Sequence, residues 1–220
     1  MIPYYLGPMI TFSVKQLKKS FGPNTIFSEV SFNHQSAALG IAGSNGSGKS
    51  TFLKCLGGLL PPTSGNIAWK DNGTILNKTA LKQKLGYAAP YINLYNELSC
   101  RENLEFISKM RHQSDSVKTI GLWISKVGLR QAINQPFGKL STGQQQRLQL
   151  ASALFYDPDI LLLDEPGSNL DEEGRDLISE IVTAFNAPEK LIIIASNNPD
   201  ELSLCERTFS IEKESFVEQD

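Results

Sequence analysis

Hydrophobic and polar positions change period several times along this chain, and the changes divide it into elements. Ile10 to Val14 alternates, and the alternation returns from Ile26 to Phe32 around Phe27, Val30 and Phe32. A period of two marks half-buried strands, so an antiparallel layer is predicted ahead of residue 40. A second kind of apolar segment is continuous and too short for a helix: the run ending in Ile41 and Ala42, then Leu85–Ala89, Ile160–Leu163 and Leu191–Ala195. These predict buried strands, with the Ile160 run a central parallel one. Helical periodicity fills the gaps, over Thr51–Leu60, Ser99–Met110, Val117–Val127, Gln145–Phe155 and Glu172–Phe185. Leu104, Ile107, Ile120, Trp123, Ile124 and Val127 form the apolar faces of the second and third of these helices. Pro61-Pro62 stops the first helix and Asp157-Pro158 the fourth. Asn66–Trp69 with Gly73–Leu76 predicts a short hairpin. The pattern describes an α/β fold from residue 9 to 220, with a mostly helical insertion over about 91–140 and residues 1–8 as a ragged N-terminal end.

Composition narrows the class. With 220 residues and 40% apolar positions, the chain can bury one sizeable core, or a core and a smaller lobe. A net charge of −2 gives no overall electrostatic footprint for nucleic acid, so no nucleic-acid partner is expected. Cys55, Cys100 and Cys205 lie far apart with no C-x-x-C pair, which predicts reduced, buried thiols of a cytoplasmic protein. No apolar run approaches the ~18 residues of a membrane span; if the protein works at a membrane, another chain supplies the spans. His34 sits in a polar stretch and is expected to be solvated.

The chemistry centres on Gly43-Ser44-Asn45-Gly46-Ser47-Gly48-Lys49-Ser50-Thr51. Its G-x-x-x-x-G-K-[ST] spacing, between a predicted strand and a predicted helix, is that of a phosphate-binding loop. Without a Cβ, Gly46 and Gly48 let the backbone curl with its N–H groups inward, and the helix aims its positive end at the same point. Lys49 adds a charge for the β- and γ-phosphates of a nucleotide, and the Ser50 hydroxyl can ligate the Mg²⁺ that bridges them. The expected ligand is therefore an anion of two or three phosphates together with Mg²⁺.

Two further stretches belong with this loop. Ile160–Leu163 delivers Asp164 and Glu165 to a strand's carboxyl end, where ligands of open α/β sheets bind. Asp164 is assigned to the metal, directly or through water, and Glu165 to orienting and deprotonating the attacking water. Leu140-Ser141-Thr142-Gly143-Gln144 opens a helix, so Ser141 and the Gly143 N–H make another anion site, or an ordinary N-cap. Phe21, in the turn Lys19–Pro23, could stack on a nucleotide base or close a strand end in the core.

With these motifs the chain resembles the ATP-binding cassette of ABC proteins from Met9 onward. Phe21 falls at the aromatic loop, residues 43 to 51 at Walker A, Leu140–Gln144 at the signature, Ile160–Glu165 at Walker B and Ser168–Asp171 at the D-loop. The resemblance implies a RecA-like P-loop core with an antiparallel β subdomain and an inserted helical subdomain. It also implies head-to-tail homodimers in which Ser141, Gly143 and Gln144 of one copy close over the nucleotide on the other's Walker A. The implied function is an ATP-hydrolysing subunit at the inner face of the membrane, working with integral membrane permease subunits. A soluble assembly ATPase and a slow-turnover, nucleotide-gated module are the alternatives. Four positions depart from the pattern: Thr142 in the signature, Ser44 in Walker A, Pro90 at the Q-loop glutamine and Asn197 at the switch histidine. Asn197 would then bring a neutral amide to the catalytic centre, and Pro90 no side-chain oxygen.

Overall fold

Two sheets and the helices packed on them organise the chain, in a computed structural model that describes residues 10–92, 94–111, 116–187 and 189–217. Strands β1 (Ile10–Phe21) and β2 (Asn24–His34) form the opening antiparallel pair. β3 (Ala38–Ala42) enters the second sheet and runs through the glycine-rich loop into helix α1 (Lys49–Leu56). β4 (Ser64–Asp71) and β5 (Thr74–Ile75) return to the first sheet, whose order is β2-β1-β4-β5. Next come α2 (Lys78–Lys84), β6 (Leu85–Ala88), α3 (Cys100–Met110), α4 (Ser116–Lys126) and two single 3-10 turns at Arg130–Ala132 and Phe137–Lys139. The chain closes with α5 (Thr142–Leu154), β7 (Ile160–Asp164), α6 (Glu172–Ala184), β8 (Leu191–Ser196), α7 (Pro199–Ser203), β9 (Arg207–Ser210) and β10 (Ser215–Val217).

The second sheet runs β10-β9-β3-β8-β7-β6, parallel except for the antiparallel edge strand β10. Its strands are apolar on both faces because both faces are covered. Leu161 and Leu163 of β7, with Ile192 and Ile194 of β8, pack under the helices. Ile160, Leu162 and Ile193 pack the other way, against α1 and the antiparallel sheet, among Phe12, Phe52 and Trp69. That two-sided burial is why the runs read as continuous rather than alternating. Trp69 adds a directional tie, donating its indole N–H to the Leu56 carbonyl at the end of α1 over 2.9 Å.

The expected α/β architecture with its antiparallel layer is present, and the differences have physical causes. α1 begins at Lys49 and ends at Leu56 rather than running from Thr51 to Leu60, because Gly57 caps it and Gly58 adopts φ 65°. The prolines at 61 and 62 were not needed to stop it. His34, expected to be solvated, is fully buried. Pairing of β1 with β2 sets it opposite Phe12, with ring centroids 5.4 Å apart on the core side. Burial, with a smaller contribution from Arg207, lowers its pKa to about 4. The three cysteines are buried, as expected, and burial pushes Cys55 up to about 11 and Cys205 up to about 12. His112 lies outside the described residues.

Candidate nucleotide-binding site

Strand order brings the chemistry together. β3, β8 and β7 are neighbours in the sheet and run parallel, with Ala42 opposite Ser196 and Asp164 opposite Ala195. The phosphate loop after β3, Asp164-Glu165 at the end of β7 and Asn197 after β8 therefore emerge at one edge, the carboxyl ends of the strands.

In the loop, Gly46 and Gly48 adopt φ 84° and 104°, and a Cβ on Gly48 would sit 2.3 Å from Ile26 Cγ2. Glycine is required there on both grounds. Gly48 is also the N-cap of α1 and gives it no side-chain cap, so the N–H groups of the first turn remain turned toward the loop. The Ser47 hydroxyl is buried with no partner among the described residues. Lys49 is only 5% exposed. Its Nζ donates to the carbonyls of Gly43 at 2.8 Å and Ser44 at 3.0 Å and pairs with Glu165 Oε1 at 2.9 Å. An uncapped helix start, an orphaned hydroxyl and a buried cation facing a carboxylate fit a polyphosphate, for which that carboxylate is a stand-in anion.

The metal position is defined by the chemistry of its donors. Ser50 Oγ donates to Asp164 Oδ1 over 3.0 Å, and Asp164 is 1% exposed. A hydroxyl and a carboxylate oxygen at this spacing suit a hard cation that takes its remaining ligands from phosphates and water. Among the described residues there is no cluster of three or more His, Cys, Asp or Glu that could hold a metal by itself.

Several residues on which the sequence reading was silent also shape the site. Glu165 takes φ 47°, its N–H bonded to the Ala195 carbonyl at 2.8 Å. Gln146, on α5, steadies this turn by donating to the carbonyls of Glu165 at 3.2 Å and Pro166 at 2.5 Å. Glu212 accepts both the Ser44 N–H, at 3.2 Å, and the Ser44 hydroxyl, at 2.5 Å, which holds its carboxyl below the usual range. Glu201 lies buried under Gly167, and burial raises its pKa. Tyr91 donates to Asp164 Oδ2 at 2.5 Å, and Tyr87 bonds to the Tyr91 hydroxyl. Both phenols are held above their ordinary range, chiefly by removal from water, and so remain protonated. No motif spacing marks these residues; the register of β6 beside β7 brings only Tyr87, and Tyr91 after it, to the site.

The remaining predicted positions fall in two places. Asn45, exposed, accepts from Asn197 Nδ2 at 3.0 Å, so the loop and the end of β8 touch through two amides. Thr51 lies in the first turn of α1 and Pro90 follows β6. Phe21 is 50% exposed at the end of β1, which removes the core reading, and Lys19 Nζ lies 4.8 Å from its ring centroid. Ser141 is the exposed N-cap of α5. It accepts from the Gln144 N–H at 3.3 Å, and its own N–H donates to Gln144 Oε1 at 3.0 Å. A Cβ on Gly143 would come 3.0 Å from the Asn169 carbonyl. Among the described residues no hydrogen bond joins Ser141, Gly143 or Gln144 to the phosphate loop.

Known proteins resemble this chain in sequence and in fold. Residues 27–168 match the family model described as "ABC transporter". A linearmycin resistance ATP-binding protein of Bacillus subtilis is 31% identical over 209 residues, covering 92% of this chain and 67% of the relative. A lantibiotic transport ATP-binding protein of Streptococcus pyogenes is 35% identical over 185 residues, covering 84% of this chain and 79% of the relative. Among solved structures, a dimeric ATP-binding cassette in a post-hydrolysis state with ADP and phosphate superposes with a TM-score of 0.81 at 23% identity, covering 95% of this chain and 97% of that one. The chain belongs to the ABC transporter family, as an ATP-binding cassette ATPase.

Proposed function

We propose that this cassette binds MgATP at the edge formed by β3, β8 and β7, hydrolyses it between two copies of the chain, and drives transport through separate membrane subunits. The observation that carries the reading is the convergence there of Lys49, the Ser50–Asp164 pair and Glu165. A triphosphate entering the loop would take over Lys49 from Glu165, freeing that carboxylate to accept a proton from water. Mg²⁺, when bound, neutralises charge between the phosphates, with Ser50 and Asp164 as its protein partners. Lys49 and the N–H groups of α1 orient the phosphates. Ser141, Gly143 and Gln144 would serve the partner copy's nucleotide, while Phe21 would stack on the base of the nucleotide held by its own copy. Among the described residues no helix is long and apolar enough to cross a membrane, which fits membrane-spanning subunits on other chains.

Turnover in the isolated chain is slow in this reading. Pro90 brings no side-chain donor, and its carbonyl is the acceptor of a long 3.5 Å contact from Gln149. Asn197 brings a neutral amide, which already spends a proton on Asn45. Preorganised polar contacts to a reacting group are worth ~10²–10³ in rate each, and a neutral donor recovers only part of that. Steady-state phosphate release tests the proposal. Wild type should bind MgATP and hydrolyse it slowly, Asn197→His should raise kcat about tenfold with little change in affinity, and Glu165→Gln should lower turnover about 10²–10³-fold. A brisk wild-type rate that Asn197→His lowers would show Asn197 to be a working replacement and sink the slow-turnover reading.

A further inference from the structure

The Tyr91 phenol touches the candidate metal site, and the reading above gives it no task. Tyr91 follows Pro90 on the connection from β6 to α3. Its hydroxyl donates to Asp164 Oδ2 at 2.5 Å, while Asp164 Oδ1 accepts from Ser50 at 3.0 Å. The two contacts use different oxygens of one buried carboxylate. Behind Tyr91, the Tyr87 hydroxyl is hydrogen-bonded to it, on a strand where Tyr87 pairs with Leu162 of β7. The ring, 45% exposed, also meets α1: Lys54 Nζ lies 4.1 Å from its centroid. One side chain thus links α1, which supplies Ser50, to β7, which supplies Asp164.

We propose that Tyr91 is a positioning residue of the metal site, whose hydroxyl holds one oxygen of Asp164 so that the other is presented beside Ser50 to the Mg²⁺ of the bound nucleotide. The inference rests on the nucleotide-site reading and adds the group that orients its carboxylate. An unrestrained carboxylate rotates about its terminal bond, whereas a donor on one oxygen sets the direction of the second. A phenol that plugged the site would be expected on the oxygen that Ser50 contacts, and this one sits on the other. Because Pro90 has no side-chain donor, the phenol one residue later is what this loop brings to the metal.

Tyr91→Phe in the full chain keeps the ring over α1 and removes only the hydroxyl. ATP affinity is measured by calorimetry in excess Mg²⁺ and in EDTA, and Mn²⁺ affinity of the ATP complex by electron paramagnetic resonance. Affinity in EDTA should be unchanged, while Mn²⁺ affinity falls by roughly 10- to 100-fold, the usual cost of losing a hydrogen-bond partner of a metal ligand. Tyr87→Phe should give a smaller fall in the same direction, and it decides the matter if the Tyr91 variant does not melt like wild type. Mn²⁺ affinity within twofold of wild type in a folded Tyr91→Phe protein overturns the proposal. So does a tighter metal complex, which would make the hydroxyl a competitor, or an equal loss with and without metal, which would make it a nucleotide contact. Each of those results leaves the nucleotide-site reading intact. A wild-type chain that binds ATP in neither condition overturns both.

Discussion

The phosphate loop and the start of α5 are both helix N-termini of a kind that accepts anions, and the fold treats them in opposite ways. α1 has no side-chain cap, and around it Lys49 is buried against Glu165, just after β7, and Asp164 is buried against Ser50 and Tyr91. α5 carries a complete capping box, and Ser141 faces solvent with its hydroxyl and N–H bonded to Gln144 and its carbonyl to the Gln145 N–H. The first end is organised for a ligand held within the chain. The second satisfies itself and turns its hydroxyl outward, as a surface meant for something outside the molecule would. In the proposed dimer, one copy would supply the cradle and the other would bring its Ser141 end to it.

The sharpest way to break this contrast is to remove the buried cation. Lys49→Ala should weaken MgATP binding by a factor of about 30 to more than 10³, because a charge-assisted contact in a desolvated site is worth about 2–5 kcal/mol. The circular dichroism spectrum should stay unchanged. Titration calorimetry reads the affinity, and wild-type affinity in the folded variant would remove the loop from the mechanism.

The open half is tested without touching the cradle. Glu165→Gln keeps the shape of the side chain but removes the base, so ATP should persist and hold two copies together, with phosphate release reduced about 10²–10³-fold. Adding Ser141→Arg should return that dimer to monomer in light scattering while monomer ATP affinity stays within about twofold of the parent, a margin of roughly 0.4 kcal/mol. If Glu165→Gln remains monomeric in saturating ATP, alone and with membrane subunits present, the two halves do not meet in this way.

The smallest effect on nucleotide chemistry, and a clean one on the fold, comes from His34 at the end of β2. Its folded pKa is about 4 and its ordinary value 6.5, so the unfolded chain takes up a proton that the folded one refuses. The stability His34 contributes as a neutral ring is intact above pH 6.5 and is lost as pH falls through about 4, in total about 3 kcal/mol. Denaturant midpoints between pH 7.5 and 4 should show this loss, and His34→Leu should flatten that part of the profile while ATP affinity at pH 7.5 is unaffected. A His34→Leu profile parallel to wild type would mean that other groups carry the acid sensitivity.

Much of the fold was legible in the sequence because each face of each sheet has one environment. Ile160–Leu163 and Leu191–Ala195 read as buried strands since helices cover one side and a sheet with α1 covers the other. Short or charged elements escaped: α2, with lysines at 78, 82 and 84, and the short strands β9 and β10. They are too short to set a period. His34 was misread for a related reason, because a polar neighbourhood in sequence says nothing about which face a cross-strand register turns inward.

The sequence alone determined the residue types of the site. Glycines at 46 and 48 that tolerate positive φ, a lysine and a serine after them, and two carboxylates ending an apolar strand all lie in motifs whose spacing is local. Local spacing survives any choice of topology. The partners decided only by tertiary structure are those supplied across the chain: Tyr91 and Ser50 on the two oxygens of Asp164, Asn197 on Asn45, Glu212 on Ser44 and Gln146 under Glu165. They are brought together by the strand order β3-β8-β7-β6 and its register, with helix packing, all set by the burial of many residues at once and written in no short stretch of the chain.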